Sequence, residues 1–218
     1  VKNESTLPQA VIFDMDGVLV NSEKFYFERR MRYFDRHQVT PRSRNIQDYL
    51  GKSAAAGWEI ALPYPAERAK IRAQFDNYRR THRIPYADYL IDGVPQALQQ
   101  LQDWHIQTAL ASAGSPDEIQ RMLVACGLTD YFSVVISGDT MTRNKPDPQI
   151  YHETVARLQL DPANCLVIED SIPGITAAKR AGLTTWALRP KDYVIDQSQA
   201  DWRFGDYGEF VGRLEELV

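Results

Sequence analysis

Ala10-Val11-Ile12-Phe13-Asp14-Met15-Asp16-Gly17 is the stretch on which the fold turns. Four apolar residues run without a break and stop abruptly at two aspartates and a glycine. A run that short, apolar at every position, suits a strand buried on both faces of a parallel sheet. The pattern recurs along the chain. Thr108 to Ala113 reads as a strand ending at Ser112, and Val134 to Ile136 as one ending near Ser137-Gly138-Asp139. Leu166 to Ile168 stops at Glu169-Asp170, and Thr184 to Leu188 reads as a fifth. Between them lie helical stretches: Val94 to Trp104, Pro116 to Cys126, Ile150 to Leu158 and Pro173 to Ala181. Ser115 serves as N-cap before Pro116, and Gly182 closes the last helix. Strands alternating with helices predict a parallel α/β sheet, which takes its ligands at the carboxyl ends of the strands.

The segment from about Ser22 to Tyr86 breaks this rhythm. It shows no strand, is rich in arginine and aromatics, and offers amphipathic helices over Lys24 to His37 and Ala66 to Arg80. It reads as a helical insert, residues 22–86, in a core made of 1–21 and 87–218. Composition agrees with a globular chain: 218 residues, 44% hydrophobic and 25% charged, are close to average. A net charge of -4 and a pI near 5.6 lack the basic stripe of a nucleic-acid binder, so no nucleic acid is expected as partner. Mean hydropathy is negative and no run approaches about 20 apolar residues, which argues against a membrane span. Val1 to Gln9 carries no secretory pattern. Two cysteines, Cys126 and Cys165, form no disulfide framework or metal spacing. The expectation is a cytoplasmic protein acting as a monomer.

Four strand ends collect the chemistry. Asp14 and Asp16 place two carboxylates at the end of the first strand. Ser112-Ala113-Gly114-Ser115 offers a hydroxyl and main-chain N–H groups where a strand turns into a helix, an anion-binding arrangement. Asn144-Lys145-Pro146-Asp147-Pro148 points a lysine from a proline-stiffened turn, and Glu169-Asp170-Ser171 adds a second acidic pair, with Gly174 allowing close approach. Carboxylates crowded together repel unless a hard cation neutralises them, and oxygen ligands suit Mg²⁺. A lysine and N–H donors among those acids fit a phosphate sharing the site. An aspartate then serves as nucleophile and a second carboxylate as general acid and base.

In this order the motifs resemble those of the haloacid dehalogenase-like superfamily, within its β-phosphoglucomutase-like phosphatase branch. The resemblance implies a Rossmann-like core with an inserted α-helical cap. It implies Asp14 as the nucleophile that becomes an aspartyl-phosphate and Asp16 as the acid/base. Ser112, the Ala113 amide and Lys145 would hold phosphoryl oxygens. Mg²⁺ would be bound by Asp14, the Asp16 carbonyl and Asp170, with Glu169 helping directly or through water. The implied partner is a small phosphorylated metabolite, such as a sugar phosphate.

Asp16 argues against the dehalogenases and the phosphonate-cleaving enzymes, which lack an acid two residues past the nucleophile. Against a sugar-phosphate mutase stand Tyr26 and Ala54, where such mutases resemble one another in carrying histidine and arginine; a bidentate arginine would grip a second phosphate. Lys52 beside Gly51 is the candidate substrate contact, and together with Arg42 or Arg44 it keeps the mutase reading open. A phospho-receiver module is a third reading, disfavoured by the insert and by Asp16. His37, His82, His105 and His152 show no ligand spacing. Trp58, Tyr64 and Tyr78 read as cap core, Arg29-Arg30-Arg32 as a solvated helix face, and Trp202, Phe204 and Tyr207 as a closing strand and turn.

Overall fold

Six parallel strands form one sheet in the order β3-β2-β1-β4-β5-β6 in the computed structural model of the chain, which describes residues 6–50, 52, 54–191 and 193–217. The strands are β1 (Ala10–Phe13), β2 (Gln107–Ser112), β3 (Val134–Ser137), β4 (Cys165–Glu169), β5 (Thr184–Leu188) and β6 (Trp202–Phe204). The helices are α1 (Glu23–Arg36), α2 (Ala54–Ala61), α3 (Pro65–Thr81), α4 (Val94–Asp103), α5 (Pro116–Ala125), α6 (Gln149–Leu158), α7 (Ile172–Arg180) and α8 (Tyr207–Glu215). By internal contacts the chain divides into two units. Residues up to Asn21 and from Tyr86 onward form the larger one, and Ser22–Pro85 the smaller. No described helix is long and apolar enough to cross a membrane.

β1 is central and every residue of it is buried. Alternate side chains serve opposite faces. Ala10 and Ile12 join Ala109, Val167, Cys165, Tyr151 and Val155 in one apolar layer beneath α6 and α7. On the other face Phe13 meets Phe132 and Phe210 of α8 edge-on, with ring centroids 6.1 and 6.3 Å apart. Cys165 behaves as a small hydrophobe, its thiol pushed up to about 11 by burial and then by nearby Asp161.

Register is what builds the site. Phe13 lies opposite Leu110 on one side and Ile168 on the other. One residue further along, Asp14 is therefore level with Ala111 and Glu169, and its N–H continues the ladder to the Ile168 carbonyl at 3.0 Å. Helix signals hold these ends in place. Ser115 caps α5 in a reciprocal capping box with Glu118, and Ser171 caps α7 by accepting from the Gly174 N–H.

The smaller unit has its own core of Met31, Tyr33, Phe34, Tyr49, Trp58, Ala61, Leu62 and Phe75. Three expectations need correction. Arg29 is buried rather than solvated: its guanidinium lies over the rings of Phe25, Tyr26 and Phe75, and one N–H reaches the His82 carbonyl at 3.1 Å. Arg30 is stacked on Trp58 and Tyr49, which leaves Arg32 as the exposed member. Tyr64, placed just before α3, is 71% exposed and lies outside the core that Trp58 and Tyr78 share. Tyr207 opens α8 instead of a turn, because the Asp206 side chain accepts from the Glu209 N–H and caps that helix.

Candidate active site

Lys145 joins three strand ends. Its ammonium donates to Asp14 Oδ1 at 2.6 Å, to Glu169 Oε1 at 2.8 Å and to the Ala111 carbonyl at 3.0 Å. Those three bonds use every proton an ammonium has. The side chains of all three charged residues are buried or nearly so. Asp170 completes the group: ligand oxygens of Asp14, Glu169 and Asp170 all lie within 4.8 Å of one another. Gly17, at φ 80°, is the turn residue that makes room, since a Cβ there would overlap the Asp170 carboxylate. Gln197 steadies the same loop from below, its amide donating to the carbonyls of Asp170 (2.7 Å) and Leu188 (2.9 Å).

One ammonium among three carboxylates leaves a charge deficit, and the two carboxylates on Lys145 resolve it unequally. Burial acts first on both, favouring the neutral acid. For Asp14 burial prevails: Lys145 pulls the carboxyl down, but the negative charges of Glu169 and Asp16 add to burial and push it up to about 7. For Glu169 burial loses to Lys145 and to hydrogen bonds from Lys145, Tyr151 and Ser171, which hold it below the usual range. Burial also opposes charge on Lys145, and the two carboxylates outweigh it, so it stays protonated. An all-oxygen donor set with an excess of negative charge is suited to a hard divalent cation.

The other motifs fall beside this cluster or outside it. Ser112 is buried directly after Ala111; its Oγ accepts from the Gly114 N–H at 3.0 Å, and Ser137 Oγ donates to the Gly114 carbonyl at 2.7 Å. Ala113 lies within that loop, at the entry to α5. Asp16 is half-buried in the turn after β1 and close enough to raise Asp14 electrostatically. Lys52 belongs to the smaller unit and is exposed, while Gly51 lies outside the described residues. Tyr151, like Gln197, belongs to no motif of the sequence. It is fully buried on α6 and donates its hydroxyl to Glu169 Oε1 at 2.7 Å. A buried tyrosine needs a polar partner, but its partner is brought in by β4 and is not visible in the helix pattern.

A family model described as "Haloacid dehalogenase-like hydrolase" matches residues 11–188. The chain belongs to this family. It is 33% identical over 181 residues to a phosphorylated carbohydrates phosphatase of Thermotoga maritima, covering 80% of this chain and 82% of the relative. It is 30% identical over 177 residues to a validoxylamine A 7'-phosphate phosphatase of Streptomyces hygroscopicus subsp. limoneus, covering 80% and 83%. The crystal structure of a β-phosphoglucomutase from Clostridium difficile shares the fold, with a TM-score of 0.77 at 20% identity over 97% of each chain. The six-stranded parallel sheet is thus the Rossmann-like core of the haloacid dehalogenase-like hydrolases, and the smaller helical unit corresponds to their cap.

Proposed function

We propose that this protein is a Mg²⁺-dependent phosphatase of small phosphorylated carbohydrates that works through an aspartyl-phosphate. The observation that carries the reading is the buried lysine shared by Asp14 and Glu169 at adjacent strand ends, beside the Ser112 loop. The phosphatase relatives, one named for phosphorylated carbohydrates, support the substrate class. Asp14, the Asp16 carbonyl and Asp170 would hold Mg²⁺, with Glu169 directly or through water. Bound there, the ion neutralises charge on the phosphoryl oxygens.

In the first step an Asp14 carboxylate oxygen attacks phosphorus and the bond to the leaving alkoxide breaks. Asp16, as the acid, gives that oxygen its proton. Ser112 Oγ, the Ala113 N–H and Lys145, which turns to the phosphoryl group the proton it gives the Ala111 carbonyl, hold the phosphoryl oxygens, as preorganised donors do in such transfers. In the second step Asp16, now a carboxylate, takes a proton from water. The water oxygen attacks phosphorus, the bond to Asp14 breaks, and inorganic phosphate leaves. The protein is read as a cytoplasmic monomer, with Lys52 a substrate contact from the cap.

Phosphate release from p-nitrophenyl phosphate and a panel of sugar phosphates, with and without Mg²⁺, tests the reading. The panel includes β-glucose 1-phosphate with its 1,6-bisphosphate. Mg²⁺-dependent release that vanishes in Asp14→Asn is expected. Net isomerisation without phosphate release would make the protein a mutase. No turnover with any ester, or appreciable turnover in Asp14→Asn, would refute the covalent phosphatase.

A further inference from the structure

The Glu169 carboxylate is fully buried, and its two oxygens receive five donors. Oε1 accepts from Lys145 Nζ at 2.8 Å and from the Tyr151 hydroxyl at 2.7 Å. Oε2 accepts from the N–H of Asp170 at 3.1 Å, the N–H of Ser171 at 3.3 Å and Ser171 Oγ at 3.2 Å. An ionised carboxylate offers about four lone-pair directions. All are taken on this residue, and the carboxylate has no room to turn. It lies against Gly174 of α7, where even a Cβ would overlap it.

Tyr151 touches both halves of the ion pair. Besides bonding Glu169, its ring lies 5.0 Å from the Lys145 ammonium. We propose that Tyr151 is a positioning residue for the phosphate-holding lysine. Its hydroxyl, with the donors from residues 170 and 171, fixes Glu169 as an anchor for Lys145. Mg²⁺ would then be held by Asp14, the Asp16 carbonyl and Asp170 without a direct bond from Glu169, the one ligand that the family resemblance leaves open. Lys145 thereby keeps a set position whether or not phosphate occupies the site.

Tyr151→Phe removes the hydroxyl and keeps the ring. The measurements are calorimetric titration with Mg²⁺ alone, titration with inorganic phosphate at saturating Mg²⁺, and thermal unfolding to confirm the fold. The expected result is a Mg²⁺ Kd within threefold of wild type and a phosphate Kd weakened about fivefold or more. Weakening of Mg²⁺ binding beyond threefold would overturn the proposal, and so would a phosphate Kd weakened less than fivefold, the result for a tyrosine that only packs. Glu169→Gln is the second variant, for use also if Tyr151→Phe does not fold. It should weaken phosphate by about tenfold and leave Mg²⁺ within threefold, whereas a larger loss of Mg²⁺ binding would make Glu169 a metal ligand and overturn the anchor role. The proposal rests on the phosphatase reading only in treating phosphate as the occupant. Failure of the wild type to hydrolyse any ester would defeat that reading and leave these binding results standing as the test of Tyr151.

Discussion

Replacing the proposed nucleophile should make the metal-free protein more stable at neutral pH, because Asp14 is held in a place that does not favour its charge. It is 8% exposed and shares one ammonium with Glu169, and burial followed by its acidic neighbours pushes its carboxyl from 3.8 to about 7. A carboxyl raised in the folded state keeps a proton that the unfolded chain has released. Stability from this group is therefore unaffected below about pH 4, falls as pH rises, and is lost in full above about pH 7. At about 1.36 kcal/mol per pH unit, the span from 3.8 to about 7 amounts to about 4 kcal/mol. A carboxamide cannot titrate, so an Asp14→Asn protein should lack this decline. Glu169 runs the other way, its contribution present above the ordinary glutamate range and lost on acidification. It does not cancel between the two proteins, because the carboxylates repel each other: without the Asp14 charge Glu169 is held lower still, which adds to the difference with the same sign. The assay is urea unfolding in EDTA from about pH 4.5 to pH 8, followed by tryptophan fluorescence; Trp104, Trp186 and Trp202 all report on the larger unit. The two curves should meet near the acid end of that range and separate by several kcal/mol at its alkaline end, with the amide variant the more stable. Mg²⁺ should stabilise the wild type at the alkaline end and narrow the gap. Parallel curves, or an amide variant less stable than wild type at the alkaline end, would refute the charge accounting of the site.

Gly174→Ala should destabilise, although alanine in a helix interior ordinarily gains about 1 kcal/mol over glycine. The new Cβ would displace a buried, lysine-paired carboxylate, a disruption worth about 3–5 kcal/mol. Urea unfolding should then show a net loss of about 2 kcal/mol or more, the difference of those two effects, and turnover should drop with it. A more stable variant would mean that Glu169 is not seated there. Asp16→Asn should fold normally and lose about 100-fold or more in turnover, the usual scale of general acid–base help. Pre-steady-state phosphate release at wild-type rates in that variant would remove Asp16 from the proton-transfer role.

Much of this arrangement was legible because it is local. β1 and β4 announce themselves as unbroken apolar runs, α5 as a serine cap followed by proline, and α7 as a stretch opened by Pro173 and closed by Gly182. The acids lie at the ends of those strands and the lysine in the proline-stiffened turn before α6, and a parallel sheet leaves little choice about where strand ends go. What stayed hidden depends on contacts between distant segments. α2 is a short helix of alanines with a glycine and few polar residues, and no alternation marks a face. Arg29 is drawn inward by rings from α1 and α3 together, so a run of arginines that reads as a wet surface is partly core. α8 was masked by the aromatic residues of the three-residue β6 just before it.

Tyr151 marks the boundary between these two kinds of information. On α6 alone it is one more apolar position beside Ile150, Val155 and Leu158, and phenylalanine would satisfy the pattern equally well. Only the register of β4 brings a carboxylate to its hydroxyl, and only the turn before α6 brings the lysine to its ring. The sequence motifs name the groups that meet the substrate, because their types are dictated by chemistry. The groups that fix where those act are dictated by geometry, and they become visible once the charged cluster has been assembled and its donors accounted for.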